Sequence, residues 1–128
     1  PESECKTKEL KIHGYLAEPD FEDPFYVYGS DKEALIKLID KNPDYAVKLD
    51  PELHYVAGQV IWAVRNEMAR TIEDVLARRL RALFLNAKAS LRMAPKVAQM
   101  MAIELNRDAK WVDQEIKNFN KVADTYML

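Results

Sequence analysis

Between Val75 and Ile103 the chain carries six cations and no acid: Arg78, Arg79, Arg81, Lys88, Arg92 and Lys96. Such a run can remain a solvated face, meet an acidic partner, a second subunit or an anionic membrane, or bind nucleic acid. The formal net charge of −2 hides the asymmetry. Residues 1–66 hold 13 acidic and 8 basic side chains, whereas residues 67–128 hold 8 acidic and 11 basic. No nucleic acid is expected, because the chain is acidic overall and its aromatics are not interleaved with the basic run. Arg78, Arg81, Lys88, Arg92 and Lys96 make up the candidate surface for an anionic or acidic partner. Arg78 and Arg81 fall opposite the apolar stripe of their helix, so they face water or that partner.

Arg79 is different. On a helical wheel of about 100° per residue it falls inside the apolar stripe of its helix, and Glu67 falls inside that of the preceding one. A buried charge without a partner is costly, so each needs a counter-ion. The pattern predicts a buried, structural Glu67–Arg79 ion pair, with Arg70 and Asp74 as further members of its network. Two other placements remain open for Arg79: a guanidinium facing a ligand in an internal pocket, or a side chain that reaches the surface along its aliphatic stem.

Residues able to do covalent or proton-transfer chemistry are sparse. His13 and His54 are isolated, and His54 reads as a satisfied surface side chain. There is no HExxH metal pattern and no GxSxG nucleophile elbow. Three scattered glycines, Gly14, Gly29 and Gly58, cannot build a phosphate-binding loop. The single cysteine, Cys5, excludes an internal disulfide and a thiolate zinc site. The acid pairs Glu22-Asp23 and Glu73-Asp74 fall in an arm or at a helix start, where solvation and the helix dipole account for them. No catalytic, cofactor-binding or metal-binding residue is expected.

The elements that must carry these residues read as an all-α bundle of about five helices behind an extended N-terminal arm. Residues 1–28 form the arm, with Pro19 and Pro24 opposing helix and Phe21, Phe25, Tyr26 and Tyr28 laid along it. Residues 29–128 form the helical domain. Its first helix is predicted to start at a Ser30/Glu33 capping box and to stop at Asn42-Pro43. The second starts at Asp50-Pro51 and buries Leu53, Val56, Val60, Val64 and Met68. The third runs from a Thr71/Asp74 capping box to about Leu85. In the fourth, Pro95 divides a short turn from a longer helix. The fifth is capped by Asp108 and buries Val112, Ile116, Phe119, Ala123 and Tyr126.

No run approaches the roughly 18 to 20 apolar residues of a membrane span, and the start lacks a secretory signal. Pro1 in place of an initiator methionine suggests a piece of a longer chain. A cytoplasmic location is expected, free or peripheral on the cytoplasmic face of a membrane.

The stretch "RNEMARTIEDVLARRLRALFLNA" resembles the C-terminal helical domain of FAD-dependent glycerol-3-phosphate dehydrogenases. "TKELKIHG", "YGSDKEALIKLI", "LDPELHYVAGQVIWAVRNEMA" and "NAKASLRMAPKVAQMMAIEL" resemble successive segments of the same domain in matching order. The resemblance spans about residues 6–120. It departs at Gly58-Gln59, where the family usually shows alanine-glutamate, at Leu80 for threonine, and at Asn86 for aspartate. Asn and Asp cap helices equally well, so the last change is silent for the fold. The resemblance implies that FAD and substrate are held by a preceding domain with a glycine-rich dinucleotide motif. It implies a parent enzyme that oxidises sn-glycerol 3-phosphate to dihydroxyacetone phosphate and passes electrons to quinone. This fragment would then hold no cofactor, and its partners would be the flavin domain of the same chain, a second subunit or a membrane surface. The alternative is a freestanding helical module that uses the Arg78–Lys96 face for an anionic or acidic partner.

Overall fold

The computed structural model describes residues 6–127; Cys5, and the reading of it as a lone thiol, lies outside them. The described residues are all-α. Five α-helices follow in order: α1 Lys32–Asp40, α2 Ala57–Asn66, α3 Ala82–Leu85, α4 Ala87–Leu105 and α5 Ala109–Asp124. A π-helical segment, Asp74–Arg79, stands between α2 and α3, and 3-10 turns at Tyr26–Asp31 and Pro43–Ala46 flank α1. The main core lies where α4 packs against α2, α3 and α5, around Val60, Ile72, Leu76, Met93, Val97, Met101 and Phe119. A smaller core, Tyr28, Leu35 and Trp62, joins the end of the arm to α1 and α2. Every residue of α2 from Ala57 to Val64 is buried. A helix apolar on all sides must be covered on all sides, and α2 is enclosed between α1 and α4.

Two close approaches depend on a missing Cβ. A Cβ on Gly29 would lie 1.8 Å from the Gly14 carbonyl oxygen, which also accepts the Ser30 N–H at 3.3 Å. This contact ties the arm to the start of α1. On Gly58 a Cβ would lie 2.5 Å from Ile39 Cγ1, so glycine lets α2 press against the end of α1.

Several helix ends follow the sequence. Thr71 and Asp74 exchange capping hydrogen bonds, each at 3.1 Å, Asn86 caps α4 through the Ala89 N–H, and Asp108 caps α5 through the Trp111 N–H. Asn42-Pro43 does end α1, as the start of a 3-10 turn.

Others differ for identifiable reasons. Ser30 and Glu33 form no capping box, because Tyr26–Asp31 already winds as a 3-10 turn and the backbone enters α1 through Asp31 in helical geometry. Asp50 does not cap α2, which begins seven residues later, at Ala57. Residues 48 and 56 instead pair as an isolated antiparallel bridge, with Leu49 N–H donating to the Tyr55 carbonyl at 3.0 Å. Met68, expected in the apolar stripe, is 78% exposed and left-handed (φ 60°), because α2 has stopped at Asn66. Pro95 does not divide α4. Its ring faces solvent while Met93, Ala94, Val97 and Ala98 on either side are fully buried, and that packing carries the helix through the lost N–H.

The expected third helix is the largest departure. It widens into π-helix at Asp74–Arg79, closing with an i→i+5 bond from Leu80 N–H to the Val75 carbonyl at 2.8 Å. It then breaks at Arg81, which adopts left-handed φ 60°, ψ 16°. A π-turn holds more than 3.6 residues, so each residue advances less than 100° and the wheel position of Arg79 slips out of the stripe.

Candidate functional site

The break after the π-helix opens a cleft of about 490 Å³ against the end of the arm. Tyr26, Val27 and Tyr28 form one wall, His54, Tyr55 and Gln59 the floor, and Arg79, Arg81, Phe84 and Leu85 the other wall. Local sequence explains this placement. The left-handed Arg81 turns the chain so that "ALFL" starts a new, four-residue helix. An unbroken apolar run is wider than one helical face can bury. Ala82 and Leu83 enter the core, and Phe84 and Leu85 are left exposed at the rim.

Arg79, on the wall of this cleft, meets Glu67, with Arg79 Nε 3.8 Å from Glu67 Oε2 and Arg79 Nη2 donating to the Glu67 carbonyl at 2.7 Å. Their side chains are 30% and 41% exposed, so the pair lies partly in water instead of in the core. The cause is the π-slip together with the early end of α2. Partial burial raises the Glu67 carboxyl above the usual range, and the Arg79 guanidinium opposes that shift. Arg70 and Asp74 serve elsewhere. The Arg70 guanidinium donates to the Val64 and Ala69 carbonyls, and Asp74 accepts the Arg70 and Thr71 N–H groups and pairs with Arg78.

Half of the cation run is paired with acids, some near in sequence and some distant. Arg78 pairs with Asp74 and with Glu73 at 3.0 Å. Arg92 holds Asp50 through two bonds of 2.8 and 3.0 Å and Glu52 at 2.8 Å, and Glu52 also accepts from Asn86. The Asp50 side chain is only 2% exposed, and Arg92 keeps its carboxyl below the usual aspartate range. Arg81, Lys88 and Lys96 have no ion pair among the described residues. Of the candidate surface, Arg78 and Arg92 are thus paired with acids of this chain, and among the described residues Arg81, Lys88 and Lys96 are not. This clamp was missed because Asp50-Pro51 matches a helix start so well. No spacing signal pointed to the clamp, since Arg92 lies 42 residues from Asp50.

Gln59 is the other polar group that sequence reasoning left without a role. It is 2% exposed; its Oε1 accepts the Val56 N–H at 2.9 Å and its Nε2 donates to the Tyr28 hydroxyl at 3.0 Å. Burial pushes the Tyr28 hydroxyl up to about 12, only partly offset by Gln59. Tyr55 is also raised by burial. Both phenols stay protonated at neutral pH and cannot act as bases. His54 lies outside any helix, tilted on the Tyr55 ring at 4.9 Å, and His13 pairs with Asp31 at 2.7 Å. Among the described residues no group of His, Cys, Asp and Glu could hold a metal ion. The cleft thus offers aromatic rims, two guanidiniums and satisfied hydrogen bonds. Such a lining is suited to contact with another surface.

A second cleft of about 500 Å³, between the Pro43–Ala46 turn and α4, carries Asp44, Lys96 and Glu104. Its charges are mixed, and Glu104 is already held by Arg65 at 2.7 and 2.8 Å. No described helix is long and apolar enough to cross a membrane.

A family model for the C-terminal domain of alpha-glycerophosphate oxidase matches residues 5–112. The mitochondrial glycerol-3-phosphate dehydrogenase of Bos taurus is 32% identical over 79 residues, which are 62% of this chain and 11% of the relative. A probable mitochondrial glycerol-3-phosphate dehydrogenase of Caenorhabditis elegans is 43% identical over 63 residues, 49% of this chain and 9% of the relative. The Rattus norvegicus protein is 36% identical over 64 residues, 50% and 9% respectively. In each case the matched stretch is about a tenth of the relative's length. No solved structure matches the chain. The comparisons lend no support to a freestanding module.

Proposed function

The chain belongs to the family of the C-terminal domain of alpha-glycerophosphate oxidase, and from that premise we propose that it is the non-catalytic helical domain of an FAD-dependent glycerol-3-phosphate dehydrogenase. The parent enzyme oxidises sn-glycerol 3-phosphate to dihydroxyacetone phosphate and passes the electrons to quinone. The redox chemistry lies in the part of the polypeptide that precedes this domain. The reading is carried by the match over residues 5–112 to a domain defined by its place after a larger body.

The described residues do not fit a flavin. A dinucleotide site needs a strand, a glycine-rich turn and a helix N-terminus that accepts the pyrophosphate. Here Gly58 is pressed against Ile39 and Tyr45, and Gly14 and Gly29 are spent on each other. They lie on separate segments and build no glycine-rich turn. On this reading FAD, the substrate and quinone are held by the rest of the enzyme, and this domain contributes packing and coverage. A cytoplasmic placement, peripheral to a membrane, is part of the proposal; the relatives are mitochondrial by name, and cell fractionation separates the two compartments.

Absorbance in the flavin region tests the assignment. The full-length polypeptide should carry FAD and reduce a quinone on addition of sn-glycerol 3-phosphate. The 128-residue chain should bind none, and stoichiometric FAD on it would overturn the reading. Hydrogen peroxide formation in place of quinone reduction would move the acceptor to oxygen.

A further inference from the structure

Resting on the reading that this chain is one domain of a longer flavoprotein, we propose that the cleft face running from Phe21 through Tyr26 and Phe84 to Tyr126 is where the preceding part of the same polypeptide docks. The partner surface would present apolar side chains to Val27, Phe84 and Leu85 and a carboxylate to Arg81.

The apolar surface here is continuous. Phe21 meets Tyr26 edge-on at 5.4 Å, Tyr26 and Phe84 line the same cleft, and Phe84 meets Tyr126 edge-on at 5.3 Å. Phe21, Val27, Phe84 and Leu85 are each more than half exposed. Large contiguous apolar surface on a folded domain marks an interaction site, and aromatic and Arg side chains are the enriched anchors of interfaces.

Charge points the same way. Arg78, Arg92 and Arg65 are each held by acids of this chain, whereas Arg81 stands at the cleft with none among the described residues. Its left-handed backbone, costly for a residue with a Cβ, places it on the cleft wall. A partner that buried the rings without meeting Arg81 would strand a cation, so the partner must be acidic there.

The occupant is chosen by availability. The matched stretches are 11% and 9% of the relatives, so most of such a polypeptide lies outside this domain. A tethered partner is present at high effective concentration, so a face of this size suffices without strong intrinsic affinity.

Photo-cross-linking in the full-length polypeptide tests the proposal, with a benzoyl-phenylalanine placed at position 84 and, as control, at position 103. Ile103 is 81% exposed and lines the other cleft. Flavin absorbance is recorded first, so loss of flavin binding by the full-length protein would sink the functional reading independently of docking. Position 84 is expected to cross-link within one molecule to peptides that precede this domain, and position 103 to give no such product. Cross-links joining two copies, cross-links to lipid, equal yield from both positions, or none from position 84 would each overturn the proposal. Arg81→Glu in the full-length protein should also lose the cross-link from position 84, and retention at wild-type yield would remove Arg81 from the interface.

Discussion

Replacing Gln59 with leucine tests whether one amide joins the arm to the helical body. Leucine has similar volume and suits a helix, so neither a cavity nor a propensity change dominates. What disappears is one part-buried hydrogen bond, Val56 N–H to Oε1 at 2.9 Å, and one buried one, Nε2–H to the Tyr28 hydroxyl at 3.0 Å. Val56 is left with an orphan donor beside a side chain only 2% exposed, which costs about 1–3 kcal/mol. Tyr28 loses an incoming bond but keeps its own O–H, which costs about 0.5–1.5 kcal/mol. Gln59→Leu should therefore destabilise the domain by about 2–4 kcal/mol, a large share of the roughly 5–15 kcal/mol typical of a folded domain. Tyr28→Phe alone should cost about 1–2 kcal/mol by orphaning Nε2–H, and the double variant should show a coupling of about 0.5–1.5 kcal/mol. Urea unfolding followed by far-UV circular dichroism reads all four corners of the cycle. A Gln59→Leu variant within about 0.5 kcal/mol of the parent, or additive single changes, would refute the account.

Three further outcomes follow from the same geometry. Glu67→Gln should change stability at neutral pH by less than about 1 kcal/mol, because its partner Arg79 is 41% exposed and the pair is screened. The folded Glu67 carboxyl is raised, so the native state holds the proton longer than the unfolded chain; stability drains as pH rises from the ordinary glutamate range to the raised value. Urea midpoints across pH should show that negative contribution in the parent and not in Glu67→Gln. Arg92→Met should act in the opposite sense: Asp50 and Glu52 are lowered chiefly by Arg92, so they add stability that is lost as pH falls, and the variant should lose that acid-side dependence in the same titration. Arg81→Gly should raise the stability of the domain by about 0.5–1 kcal/mol in thermal unfolding, since glycine relieves the left-handed backbone at φ 60°; a lower Tm would show that Arg81 is tied down by contacts other than its backbone.

Much of the fold was legible in the chain because its signals are local. Capping at Thr71/Asp74, Asn86 and Asp108 uses groups within four residues of one another. The stripe of α5 holds at Phe119 and Ala123, whereas Tyr126, expected in it, is 50% exposed because α5 ends at Asp124. The Glu67–Arg79 pairing was also legible, from two charges that had to find each other across a short junction. Their burial was not, because the wheel assumes 100° per residue and the segment Asp74–Arg79 does not keep it.

By itself, then, the sequence determined the helical class and the helix ends capped at Thr71/Asp74, Asn86 and Asp108. Only the tertiary structure decided which charges remain unpaired. Asp50 and Arg92 are 42 residues apart, Arg65 and Glu104 are 39, and no spacing rule links them. It also decided that α2 waits until Ala57, that Pro95 is carried inside α4, and that Phe84 and Leu85 stay outside the core. The reason is common to all of them. Local hydrogen bonds select an element, but the energy of burying or pairing a group depends on what the rest of the chain brings beside it.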